Sequence, residues 1–247
     1  VAVGSGSVFD ACKLASFKAK KPFVGYATAL SMNGYLSSNA SIIDEEGVKK
    51  SCKAHLPTSI FFDLEVLKKA PLKLTLAGMG DSLARASAQA DNLLAFEKTG
   101  AQYKEDLFSF RLPSEEFIFT HYKSLEEGED EFFLQLLENI LFSGIAMHIY
   151  GSSVPASGGE HAMAHIFETE YNKDNSLYHG LAVATFTCEM LKLQNNRFTP
   201  KGDFANALKH FGIPCGFQDL GLTQEDFILI KSKALQYRER YGYLNIG

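Results

Sequence analysis

The sequence predicts a two-part chain, an α/β segment over residues 1–70 followed by an all-helical segment over residues 71–247. Three observations carry this. Before Pro71, short apolar runs alternate with glycine-marked turns around one stretch of helical spacing. After it, seven stretches repeat their apolar residues at helical period, and none alternates cleanly at period two. Pro71 itself stops the last short helix of the first part.

In chain order, "VAVGSG" reads as a short apolar strand ending in a glycine turn. "SVFDACKLASFKAK" has helical spacing, with Val8, Cys12 and Ala15 on one face. "PFVGYATAL" is a second strand, and "YLSSNASIIDEEGVKKSCKA" a hairpin turning at Glu46-Gly47. "TSIFFDL" is a further strand and "DLEVLKKAP" a short helix. The helical part comprises "SLARASAQADNLLAFEK", "EEFIFTHYKSL", "DEFFLQLLENILFSGIAM", "GEHAMAHIFETEY", "GLAVATFTCEMLKL", "DFANALKHFG" and "TQEDFILIKSKALQYRERY", punctuated by Gly, Pro or Asn.

Composition narrows the functional classes. The 247 residues suffice for one large or two small domains with a sizeable core, and 46% apolar with 21% charged residues is ordinary for a globular protein. A net charge of −5 gives no electrostatic case for nucleic acid. "ENILFSGIAMHIYGSS" comes nearest to a membrane span, but falls short of ~18 apolar residues and contains His148, so no span is expected. Four cysteines lie far apart with no CxxC, which reads as free thiols in a reducing, cytoplasmic compartment. The chain opens on a strand with no initiator Met, signal peptide or polar leader, so further sequence upstream of Val1 is expected.

Four stretches carry possible chemistry. "GSGS" at residues 4–7 joins a strand to a helix; free N–H groups there can hold a phosphate, and a tight turn needs the same glycines. "ATALSMNGYLSS" at residues 27–38 is rich in hydroxyls after a strand, which suits a ligand crevice or a polar surface loop. "AGMGDSLARASAQAD" places Asp81 at a helix start behind two glycines, where capping is the plain explanation, and Asp91 farther along on a solvated face. His161 and His165 share a helix face by i, i+4 spacing, and His179 follows a polar turn, "NKDNS". Two helices joined so run antiparallel, which lets His161 and His179 face each other. The three are then either metal ligands completed by a carboxylate or ordinary helix residues.

Taken as an ordered series, "GSGSVFDACK", "TALSMNGYLSS", "FFDLEVLKKAP", "AGMGDSLARASAQAD", "PASGGEHAMAHIFE" and "HGLAVA" resemble the iron-containing alcohol dehydrogenase superfamily. Within it they are most similar to the sn-glycerol-1-phosphate dehydrogenases, relatives of glycerol dehydrogenase. The resemblance runs from residue 4 to about residue 190. It implies a partial Rossmann-like dinucleotide-binding region over residues 1–70, then a helical metal- and substrate-binding domain over 71–247, an architecture shared with dehydroquinate synthase. Members carry a βαβαβ half ahead of the glycine loop, which this stretch of chain does not include.

The resemblance also implies roles. Asp81, His161 and His179 become ligands of a divalent metal, zinc first, with iron or nickel as alternatives. His165 sits by the nicotinamide and substrate as a catalytic residue. Gly4, Ser5, Gly6, Ser7 and Asp10 form the pyrophosphate loop of NAD or NADP; Thr28, Ser31, Asn33 and Ser37 contact cofactor from the next loop. The substrate is a small polyol or polyol phosphate, and a homo-oligomer is expected. The family reads Ser-x-Asp-Gly where this chain has "SMNG", so Asn33 replaces a carboxylate beside the substrate. Two alternatives remain at this point: a non-catalytic homologue that keeps the metal-binding helices, and a dehydroquinate-synthase-like lyase, against which Asp81 counts because that resemblance implies Glu.

Overall fold

A computed structural model describes residues 1–43, 49–174, 176–237 and 240–246. Three parallel strands form the first sheet, in the order β1 (Ala2–Gly4), β2 (Val24–Ala27), β5 (Ser59–Phe62). Ala2 pairs with Gly25 and Gly4 with Ala27; Val24 pairs with Ser59 and Ala27 with Phe62. α1 (Gly6–Lys18) makes the crossover between β1 and β2 that a parallel pair requires. β3 (Asn39–Ile43) and β4 (Lys49–Lys53) form a separate antiparallel pair; the expected turn at Glu46-Gly47 lies outside the described residues.

α1 does not bury the face its spacing predicts. Phe9, Asp10 and Lys13 are buried, whereas Val8 is exposed. The reason is aromatic: Phe9 meets Phe23 and Tyr35 edge-on at 5.0 and 4.9 Å, and Gly25 leaves room beneath its ring.

The remaining described chain is helical: α2 (Leu64–Lys68), α3 (Leu72–Thr99), α4 (Asp106–Ser109), α5 (Leu112–Thr120), α6 (Ser124–Glu127), α7 (Asp130–Tyr150), α8 (Gly159–Glu170), α9 (His179–Leu193), α10 (Phe204–His210) and α11 (Gln224–Tyr237), with short 3₁₀ turns between some of them. Asp63 caps α2 by accepting from Glu65 N and Val66 N. The stretch "EEFIFTHYKSL" divides into α5 and α6 rather than forming one helix. Among the described residues α7 is the one helix long and apolar enough for a membrane span, with mean hydropathy 1.4 over its window, so the expectation of a shorter run is corrected. Half of that window is buried inside the fold, against α3 and α5 among others.

α3 is the spine. It begins at Leu72, well before Asp81, and runs through Gly78 and Gly80 to Thr99, 28 residues in all. Asp81 is therefore mid-helix and buried, and capping does not explain it. The glycines serve close approach instead. A Cβ on Gly80 would lie 2.0 Å from the carbonyl oxygen of Gly180, and one on Gly180 would lie 1.9 Å from that of Ala77. On Gly78 it would meet Leu30 O at 1.9 Å. The backbones of α9 and of the loop after β2 thus rest directly on α3.

Candidate metal centre

The glycine contacts decide which side chains meet. Asp81 follows Gly80, and His179 precedes Gly180, so the crossing of α3 over the first turn of α9 sets those two side by side. α8 lies antiparallel to α9: Met190 packs by Gly159 at one end, and Glu168 touches His179 at the other. His161 then comes in from the first turn of α8. One ligand atom from each of Asp81, His161 and His179 lies within 4.8 Å of the other two. The structure brings together the three residues singled out as ligands.

The donor set fits a metal ion. Asp81 Oδ1 is buried with no hydrogen-bond partner, while Oδ2 accepts from Asn33 N at 3.2 Å. A buried bare carboxylate oxygen is costly unless a cation or donor meets it. His161 Nε2 stands 3.7 Å from that oxygen, beyond hydrogen-bonding range. Its other nitrogen, Nδ1, is 2.9 Å from Glu160 Oε1. His179 Nδ1 is likewise 2.5 Å from Glu168 Oε1. A carboxylate behind each imidazole fixes the tautomer that leaves Nε2 free to ligate. Burial holds His161 below the ordinary histidine range, against the opposing pull of Glu160 and then Asp81, which favours the neutral ring that ligation needs.

Glu160 and Glu168 were not recognised in the sequence as participants. Glu160 is fully buried and also takes hydrogen bonds from Ser87 Oγ at 2.6 Å and Gly158 N at 2.5 Å. Burial by itself would raise its pKa, but the bond to His161 and these donors hold it below the ordinary range. The sequence signal was adjacency: each carboxylate lies one or three residues from a histidine of "GEHAMAHIFE". Arg85, one turn beyond Asp81 on α3, pairs with buried Glu115 and donates to Gln89 Oε1 at 2.8 Å. Asp91, read above as solvated, is buried; it accepts from Gly159 N at 2.7 Å, Tyr243 N at 3.0 Å and Gln194 Nε2 at 3.1 Å. Burial, and then the charge of Glu160, pushes its pKa up to about 6.

His165 stacks on His179 with ring centres 5.1 Å apart and planes at 15°, and its Nδ1 lies 3.6 Å from Glu168 Oε2. A second set of potential ligand atoms, from His165, Glu168 and His179, arises from this contact. The hydrogen bond that His179 Nδ1–H donates to Glu168 Oε1 makes Glu168 an orienting carboxylate instead.

Gly4, Ser5, Gly6 and Ser7 occupy the turn from β1 into α1, with Gly4 at φ +152° and Gly6 at φ +51°. A Cβ on Gly6 would meet nothing within 4 Å. The start of α1 has no acidic residue in its first turn and no side-chain cap. Ser5 instead bonds sideways to Ser31 Oγ at 2.5 Å and Tyr35 Oη at 2.6 Å, tying this turn to the next loop. Thr28 and Ser31 are half-buried beside it. Asp10 and Ser37 have their polar atoms engaged internally: Asp10 pairs with Lys13 at 3.0 Å and accepts from Ser41 N at 2.9 Å, and Ser37 Oγ accepts from Asn39 N at 3.1 Å. Asn33 stands by the metal centre, since its N–H binds Asp81.

Comparison with known proteins adds the family. Residues 1–71 match the family described as iron-containing alcohol dehydrogenase. The chain is 34% identical over 245 residues to glycerol-1-phosphate dehydrogenase [NAD(P)+] of Thermococcus kodakarensis, spanning 99% of this chain and 68% of that protein. It is 35% identical to the Pyrococcus horikoshii protein of the same name, across 99% and 69% of the two. Its fold is similar to the crystal structure of glycerol dehydrogenase from Schizosaccharomyces pombe, with a TM-score of 0.74 at 20% identity, covering 99% of this chain and 64% of that one.

Proposed function

The chain belongs to the iron-containing alcohol dehydrogenase family, in its glycerol-1-phosphate dehydrogenase branch, and we propose that it interconverts glycerol 1-phosphate and dihydroxyacetone phosphate with NAD or NADP. The observation that carries this is the convergence of Asp81, His161 and His179, with the bare Oδ1 of Asp81 aimed among them. These three residues would hold a divalent metal, zinc first on the donor set, with iron or nickel as alternatives. When bound, such an ion supplies Lewis acidity toward the hydroxyl or carbonyl oxygen of the substrate.

The chain's own residues do the rest. Glu160 and Glu168 hold His161 and His179 by their Nδ1 atoms, so the ligand set is preorganised. His165, stacked on His179 and half-buried, would relay the substrate hydroxyl proton toward solvent. The turn at residues 4–7 offers uncapped N–H groups to the cofactor pyrophosphate, and the bonds from Ser5 to Ser31 and Tyr35 keep it in register with the loop that reaches Asp81. A cofactor held on this turn and a metal held by Asp81 would thereby be linked through residues 31–33.

Nicotinamide absorbance during reduction of dihydroxyacetone phosphate by the metal-loaded chain tests the reading. Turnover that depends on the substrate phosphate is expected. Equal turnover of unphosphorylated dihydroxyacetone would replace the substrate assignment, and no nicotinamide oxidation with either would sink the reaction.

A further inference from the structure

The segment at residues 213–217 lies along the second half of α9 and is fixed there at two points. Thr185 Oγ1 donates to Pro214 O at 3.0 Å. Phe217 N donates to Glu189 Oε1 at 3.2 Å. Thr185 and Glu189 are one helical turn apart on a single face, and Cys188 stands between them. Cys215 stands between the two anchored residues of the segment. These two anchors bring Cys188 and Cys215 together across the contact, where each shifts the other's thiol, and Cys215 Sγ also donates to Ile213 O at 3.4 Å. Both are free, both are only partly buried, and both rest against the same apolar core. Neither belongs to the metal centre or the glycine loop.

We propose that Cys188 and Cys215 form a redox-active pair that closes to an intramolecular disulfide when the protein meets a small-molecule disulfide such as oxidised glutathione. Cys215 is the attacking group. The neighbouring Cys188 holds the Cys215 thiol below its ordinary range against burial and the Asp219 carboxylate, and Lys192, one turn beyond Cys188, adds positive potential. The Cys215 thiolate attacks one sulfur of the external disulfide; that S–S bond breaks, and the first glutathione thiolate leaves and is protonated by water. Cys188 then yields its proton to solvent and attacks Cys215 Sγ, and the second glutathione thiolate leaves. One external disulfide is reduced to two thiols while two cysteine thiols are oxidised to one disulfide. The bridge would pin the 213–217 segment to α9 and constrain the unfolded chain, so the oxidised form should melt higher.

The experiment uses the reduced, metal-loaded protein treated with oxidised glutathione, read by thiol titration, intact mass, mapping of linked peptides and thermal melting. The wild type is expected to lose two of its four thiols and the mass of two hydrogens, with no adduct. It should yield a peptide linking residues 188 and 215, and melt a few degrees higher until dithiothreitol reverses the change. Cys188→Ser should stall with one glutathionyl group on Cys215, and Cys215→Ser should form neither the link nor that adduct. A wild type that keeps all four thiols, stalls at the mixed disulfide or links a different pair overturns the proposal.

Discussion

The backbone N–H of Asn33 donates to Asp81 Oδ2 at 3.2 Å, while Asn33 Nδ2 stays buried without a hydrogen-bond partner. The loop after β2 is thus tied to the proposed metal carboxylate through its main chain, with the Asn33 side-chain amide buried and unsatisfied. Close relatives by resemblance have Asp here. Asn33→Asp would supply a charged acceptor for a substrate hydroxyl, and charge-assisted bonds exceed neutral ones by ~1–2 kcal/mol. Turnover of dihydroxyacetone phosphate is expected to rise several-fold in Asn33→Asp, followed by nicotinamide absorbance. A slower variant would mark Asn33 as an adaptation to another substrate.

Removing one of three protein ligands should empty the site. Elemental analysis of purified His161→Ala, His179→Ala and Asp81→Asn is expected to show loss of the divalent ion. His165→Ala should retain it and lose activity by ~10²-fold, as for a lost proton relay. Loss of metal from His165→Ala would make His165 a ligand.

The carboxylates behind the imidazoles should act on affinity. Glu160→Gln and Glu168→Gln are expected to weaken metal binding by ~10–100-fold, read in a competition titration with a chelating dye. Unchanged affinity in both would mean the orienting bonds to His161 and His179 do not matter for ligation.

Asp91 gives a pH signature. Its folded pKa of about 6 lies above the ordinary carboxylate value of ~4, so the folded state binds its proton more tightly. The stabilisation is fully present below pH ~4 and is lost as pH rises through about 6, on the order of 3 kcal/mol in all. Asp91→Asn lacks this slope. Urea unfolding from about pH 4 to about pH 7 should show the stability of the variant gaining on wild type up to pH ~6 and then levelling. A difference that does not change with pH would contradict it.

Gly180→Ala tests the backbone crossing. The new Cβ would lie 1.9 Å from Ala77 O, a main-chain atom that cannot rotate away. Forced separation of α3 and α9 should cost ~3 kcal/mol or more and pull His179 from Asp81. A lower melting temperature together with reduced metal content is expected; a normal melting temperature and full metal content would show that the helices adjust.

The sequence by itself determined the local half of this protein. Period and punctuation placed the parallel strands around α1, the hairpin strands, and α7 to α11, because apolar spacing and turn residues act within a few positions of themselves. Motif order carried the resemblance and with it Asp81, His161 and His179. What only the tertiary structure decided depends on atoms distant in the chain. Gly78 and Gly80 look like helix breakers locally, yet α3 runs through both because Leu30 and Gly180 press their backbones against it. Spacing alone put Val8, Cys12 and Ala15 on one face of α1, yet the helix buries Phe9 and exposes Val8, because Phe23, Tyr35 and Gly25 make the pocket for the ring. Asp91 and Glu160 are buried polar groups whose partners lie as far away as Tyr243 and Ser87, and a buried charge is legible only once the groups that satisfy it are in place.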